Sequence, residues 1–296
     1  MKNYGGVDFL QKAILRTLIY ADIFDYPLNS EELYRFLIIN HPISYSVFKN
    51  ALSRIITNDK RINTNKNYYF LKGRREIISL RQKREKWSQE KIKIGRRIGR
   101  WLKLIPWIKL MGITGALAMR NSDKNDDIDL MIITSRNRLW LTRFLTIFLL
   151  EFFSKRRKPS DKDVEDKICL NLFIDEGYLE TPREKRNLFM AHEVCQMKAL
   201  WEEDDIYKKF LWENKWVKEF LPNAIPNYKL QITNYKLERP NLFFDFLEKI
   251  AFKIQLAYMK PKMTTEKVSE GVAFFHPKDL SGWVMGKYNE RIKNYN

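Results

Sequence analysis

The hydrophobic period of this 296-residue chain changes at Pro106, and that change constrains the fold more than any other feature. Before it, apolar residues recur at three and four positions, the spacing of one helical face. Beyond it, WIKLMGIT, DIDLMIIT and KICLNLFID read as strands, and RLWLTRFLTIFLLEFF reads as a buried helix covering them. From Pro182 the pattern is helical again. The expected class is α+β, a central mixed sheet with helices between two helical regions, divided into residues 1–78, 79–105, 106–180 and 181–296.

Three helical patterns open the chain. DFLQKAILRTLIYADIF is the first; NSEELYRFLI follows, with Asn29 or Ser30 as cap and Glu32 close behind; SYSVFKNALSRIITND starts at Ser44 or Ser46. Two short β-prone pieces then flank the polar NTNKN, as in a hairpin. In order and length, residues 8–78 resemble a winged helix-turn-helix domain. In a nucleic-acid complex the third helix would enter a groove with Lys49 and Arg54 exposed, and Lys60, Arg61, Lys66 and Lys72 would flank phosphates. The alternative is a winged helix used for packing or protein contact.

Charge points the same way. The formal net charge is +18, and residues 60–109 hold 17 basic residues against three acids, so one segment supplies most of the excess. Such a segment favours a polyanionic partner, RNA or DNA, or else forms a solvated helix face. Residues 79–105 read as a basic linker helix with Trp87, Ile94, Ile98, Trp101 and Leu102 as its inward stripe.

Cys169 and Cys195 lack metal-ligand spacing and imply no disulfide framework, which fits a reducing cytoplasm. No signal-peptide pattern opens the sequence, and the run Leu139 to Phe153 is short for a bilayer span and carries Arg143. No membrane partner is expected, and the oligomeric state is left open.

The chemistry lies in DDIDL. Strand side chains alternate, so Asp127 and Asp129 share one side while Ile128 and Leu130 take the other. Two neighbouring carboxylates repel and are costly to desolvate unless a cation lies between them. Mg²⁺ is the natural partner, a hard ion that also accepts substrate phosphate oxygens. Upstream, Gly115 and Ala116 end one strand and begin a short helical piece whose backbone N–H groups can approach a phosphate.

At Thr114-Gly115-Ala116 and Asp127-Ile128-Asp129-Leu130 the sequence resembles the DNA polymerase beta-like nucleotidyltransferase superfamily, over about residues 106–176. The resemblance implies a metal-dependent nucleotidyltransferase. A hydroxyl attacks the α-phosphate of a nucleoside triphosphate with release of pyrophosphate, assisted by Mg²⁺ or Mn²⁺, with two ions about 4 Å apart. Asp127 and Asp129 would be catalytic. Gly115, Ala116, Arg120 and Asn171 would hold the nucleotide, and the basic N-terminal region would bring the acceptor, RNA, DNA or a small molecule. The C-terminal helices would close over the base.

Two departures qualify it. Ala116 replaces a Ser or Gly, removing a hydroxyl donor. The third metal carboxylate expected on the next strand falls at Asn171, which carries no charge, so Asp175, two pleats further on, is the candidate third ligand. The competing reading is a catalytically degenerate nucleotide- or nucleic-acid-binding winged-helix protein. Arg136, Arg138 and Arg143 are further phosphate candidates. Asp123 and Asp126 read as solvated loop acids, His192 as a packed histidine, His276 as a turn residue, and Trp201, Trp212 and Trp216 as core. The repeated Asn-Tyr-Lys-Leu near residue 230 reads as a surface-loop duplication.

Overall fold

Of the described side chains of α1 (Val7–Asp22), only Asp8, Lys12 and Arg16, spaced by four, are exposed; the others are buried or half-buried. A helix covered on so many sides needs partners from more than one part of the chain. In the computed structural model, which describes residues 7–158, 160–226, 241–263, 267–275 and 280–295, they come from both ends. On one side lie β1 (Leu28–Asn29), α2 (Ser30–Arg35), α3 (Tyr45–Asn58), β2 (Ile62–Asn65) and β3 (Tyr68–Leu71), the strands antiparallel in the order β1-β3-β2. Asn29 and Glu32 form a reciprocal capping box at the start of α2, and Ser44 caps α3, as the sequence predicts.

α4 (Ile77–Leu102) is the basic helix, but its inward face differs from the expected stripe. Trp101 is exposed and Trp87 and Ile94 are half-buried, whereas Ser88, Lys91, Gly95, Ile98, Gly99 and Leu102 are buried. The helix lies close on the sheet at its glycines: a Cβ on Gly99 would displace the end of the Met111 side chain, and one on Gly95 would sit 3.3 Å from Leu200 Cδ1. Several cations of this segment are structural rather than free. Arg81, 4% exposed, pairs with Glu32 at 2.7 Å and Glu85 at 3.1 Å between the rings of Tyr26 and Tyr68.

β4 (Ile108–Ile113), α5 (Gly115–Ala118), β5 (Ile128–Thr134), α6 (Leu139–Phe152) and β6 (Ile168–Asp175) form the predicted α/β unit, with β4 antiparallel and β6 parallel to β5. α6 buries Leu139, Trp140, Thr142, Arg143, Thr146 and Leu150, yet Phe144, Phe148 and Phe152 form an exposed stripe, so it is not the fully buried helix expected.

The region after residue 181 is not purely helical, as expected, but mixed. Between α7 (Leu188–Gln196) and α8 (Ile206–Glu213), β7 (Lys198–Glu202) pairs with β4; after α9 (Leu242–Met259), β8 (Lys267–Val268) and β9 (Val272–Phe274) extend the sheet beyond β6. The order is β7-β4-β5-β6-β9-β8. KALWE is too short to carry a strand period, and it becomes a strand because β4 offers an unpaired edge. α10 (Leu280–Tyr295) returns to α1, so one apolar core joins the N-terminal helices to α7, α8 and α10. Trp216 is core, but Trp212 is exposed and Trp201 half-buried. His276 and the Asn-Tyr-Lys-Leu repeat lie outside the described residues.

Candidate active site

The bend after β4 depends on a single residue. Gly115 has φ +62°, a left-handed conformation costly for any residue with a Cβ, and a Cβ there would lie 3.1 Å from Asp129 Oδ2. Glycine therefore lets the turn and the aspartate share the space. Thr114 N–H donates to the Asp129 carbonyl at 3.1 Å, tying the bend to the strand.

The loop between α5 and β5 is fixed from outside by α4. Lys91, 2% exposed, donates through Nζ to the carbonyls of Lys124 (2.8 Å) and Asp126 (2.7 Å) and to Asp166 Oδ1 (2.9 Å). Ser88 Oγ accepts the N–H of Ser122 at 3.2 Å. Asp126 is not a solvated acid: its carboxylate accepts the Asp123 N–H at 2.7 Å and the Ser122 hydroxyl at 3.2 Å. Asp127 and Asp129 emerge from a loop held by a helix that the sequence marks only as basic.

Their carboxylates converge. One ligand atom each from Asp127, Asp129 and Cys169 lie within 4.8 Å of one another, and Cys169 stands opposite Asp129 on the parallel strand β6. Arg157 Nη1 donates to Asp127 Oδ2 at 2.5 Å and lies 3.8 Å from Cys169 Sγ. Burial, with the charge of Asp127 beside it, pushes the Asp129 carboxyl up to about 7. Burial and the two aspartates also drive the Cys169 thiol well above its usual value. Both shifts mark a place that favours added positive charge. Two carboxylates suit a hard divalent ion; a thiol held protonated is a weak third ligand. The donor set fits Mg²⁺ or Mn²⁺ chiefly through the aspartates.

Asn171 is not opposite the pair. The register slips between Leu130 and Met131, leaving Asn171 as the extra residue of a β-bulge, buried and facing the same cavity. Asp175 is corrected as a metal ligand. It stands beside Thr134, five residues along β5 from Asp129, about 16 Å at 3.3 Å per residue. There it accepts the N–H groups of Asn137 (2.5 Å) and Gly177 (2.7 Å) and closes the turn after β6.

Arg120 lies in the exposed turn after α5, with φ +56°, and is not among the cavity-lining residues. Arg138 pairs with Asp245 at 2.6 Å and Arg143 bonds Gln255 at 2.5 Å, so neither serves the pair. Arg136 lies near Gly177, at the same distant end. Arg157 is the cation at the aspartates, and nothing in its loop sequence singles it out.

The cavity at the pair measures about 1520 Å³. Gly115, Ala116 and Asn171 line it, as do Tyr20 of α1, Phe24 and Tyr26 after it, and residues of α7 and α10; α9 does not. Its charged lining among the described residues is six carboxylates, of Asp126, Asp127, Asp129, Glu180, Glu184 and Glu193, against one lysine, Lys185. Burial, with Asp129 contributing, pushes Glu193 up to about 7. His192 beside it is packed, stacked on Tyr20 with centroids 4.0 Å apart and donating through Nδ1 to the Leu188 carbonyl.

Of the residues expected to contact nucleic acid, Lys49, Arg54, Lys66 and Lys72, together with Lys60, are exposed. Arg61 is not available: it holds Asp59 at 2.9 Å and the Tyr295 carbonyl at 2.9 Å. No family model and no curated protein matches the chain.

Proposed function

We propose that this cleft is the active site of a metal-dependent nucleotidyltransferase that moves a nucleoside monophosphate from a triphosphate to a hydroxyl acceptor. The observation that carries the reading is the convergence of Asp127 and Asp129 at a large cavity directly beside the positive-φ bend at Gly115. Asp127 and Asp129 would hold a divalent ion, which would supply charge neutralisation at the α-phosphate. The chain's own groups do the rest. The backbone after Gly115 cradles phosphate oxygens, Asn171 donates to the nucleotide from the bulge, and Arg157 exchanges Asp127 for a phosphate oxygen when substrate enters. Glu193, from α7, accepts the acceptor's proton. The acidic, aromatic walls suit a small uncharged or cationic acceptor better than a polynucleotide, whose phosphates they would repel.

The test is transfer of label from nucleoside triphosphates in Mg²⁺ or Mn²⁺ to small hydroxyl compounds and to RNA, with Asp127→Asn plus Asp129→Asn as control. Transfer that disappears in the double variant supports the reading; equal transfer by both proteins overturns it.

A second reading rests on α3. Its outward face presents Ser46, Lys49, Asn50, Ser53, Arg54 and Thr57, with the exposed Val47 at its edge, a mainly polar face suited to a groove, in a unit with the element order of a winged helix. If no label moves in either metal while a salt-sensitive DNA complex forms and is lost in Lys49→Ala with Arg54→Ala, this binding function replaces the catalytic one.

A further inference from the structure

α9 turns both of its acids toward the protein. Asp245 pairs with Arg138 at 2.6 Å, and Glu248 accepts the N–H groups of Trp140 and Leu141 at 2.6 and 2.9 Å. With Phe252 against Trp140, centroids 5.0 Å apart, these contacts seat one face of α9 on the first turn of α6. The opposite face carries Phe243, Phe246, Ile250, Ile254 and Tyr258 at spacings of three and four. All are exposed, four of them by 63–68%. Lys249 and Lys253 are exposed along the border of this stripe, and Lys260 follows at its end. The outward half of α9 is therefore apolar and cationic, with no acid on it.

We propose that this face lies in the interfacial layer of a membrane containing anionic lipids, with α9 parallel to the surface. No helix among the described residues is long and apolar enough to cross a membrane, so the attachment is peripheral. Two features select this occupant. Aromatic and aliphatic side chains flanked by lysines are the composition of an in-plane interfacial helix. A second copy of the chain would bring lysine borders together with no outward acid on α9 to pair them, whereas anionic headgroups complement them. The net charge of +18 adds long-range attraction to the same surface.

The test is flotation of the full chain with phosphatidylglycerol-containing and pure phosphatidylcholine vesicles, beside Phe246→Ser with Ile254→Ser and Lys249→Gln with Lys253→Gln. Far-UV circular dichroism and melting curves verify that each variant is folded, which the exposure of these side chains favours. The wild type is expected to float with phosphatidylglycerol vesicles only. The apolar double variant should lose flotation, and the lysine double variant should bind roughly thirtyfold more weakly. Three results overturn the proposal: no flotation of the wild type, flotation unchanged in the apolar variant, or a concentration-dependent dimer that this variant abolishes while no vesicle binding occurs. The last would identify a second copy as the occupant. Because the readout is binding, the outcome is independent of any activity in the cleft.

Discussion

Arg157 reaches Asp127 with a single 2.5 Å contact, Nη1 to Oδ2. Under the proposed function, guanidinium and divalent ion compete for that one carboxylate. Arg157→Ala is expected to tighten Mn²⁺ binding by roughly tenfold, the scale of one lost charge-assisted hydrogen bond. It should also weaken nucleoside triphosphate binding. Calorimetric titration with each ligand measures both, and metal affinity unchanged in the variant would refute the competition.

Gly115→Ala tests the bend. The added methyl meets Asp129 in a backbone conformation that costs an L-residue about 1–2 kcal/mol. Stability is expected to fall by about that amount while nucleotide binding and transfer are lost, because the aspartate must move. Denaturant unfolding together with nucleotide titration separates the two effects; binding at the wild-type level would contradict the tight packing described.

Lys91→Met removes the one ammonium that satisfies two loop carbonyls and Asp166. Breaking a buried, multiply bonded charge costs about 3–5 kcal/mol. The loop of residues 121–127 is expected to exchange its amides much faster in hydrogen-exchange mass spectrometry, ahead of the strands. Uniform acceleration over the whole chain would indicate a general loss of stability instead of a loosened loop.

His192 sets an acid limit. Burial lowers its folded value to about 4 from the ordinary 6.5, so the unfolded chain takes up a proton first as pH falls. The contribution is complete above pH 6.5 and is lost as pH drops from there to about 4, on the order of 3 kcal/mol. His192→Phe should flatten the stability profile across that window, as measured by urea unfolding at a series of pH values. A profile as steep as the wild type would assign the loss to other groups.

Local chemistry carried much of this molecule. The caps at Asn29 and Ser44, the hairpin, the strands beside Pro106 and the shared side of Asp127 and Asp129 all follow from short-range rules visible in the sequence. What escaped depends on distant partners. Cys169 meets Asp129 across the parallel pair, and just beyond it a bulge takes Asn171 out of register; simple alternation along CLNLFID reveals neither the pairing nor the slip. Lys91 reads as one more basic residue of a solvated helix until its three acceptors, more than thirty positions away, come into view. Glu193 sits in an ordinary helical run and gains significance only from the cavity it lines. The three phenylalanines of α6 look like core in a hydrophobic segment, since hydropathy alone does not say which side a neighbour covers.

β7 and β9 come from beyond residue 181 and flank the strands that carry the aspartates, one on each side. A fragment cut after β6 would present two bare backbone rims, of β4 and of β6, each inviting association with another chain. The aspartate-bearing segment is consequently not a separable module. Any shortened version meant to isolate its chemistry must retain the chain through β9, or it will precipitate before its chemistry can be measured.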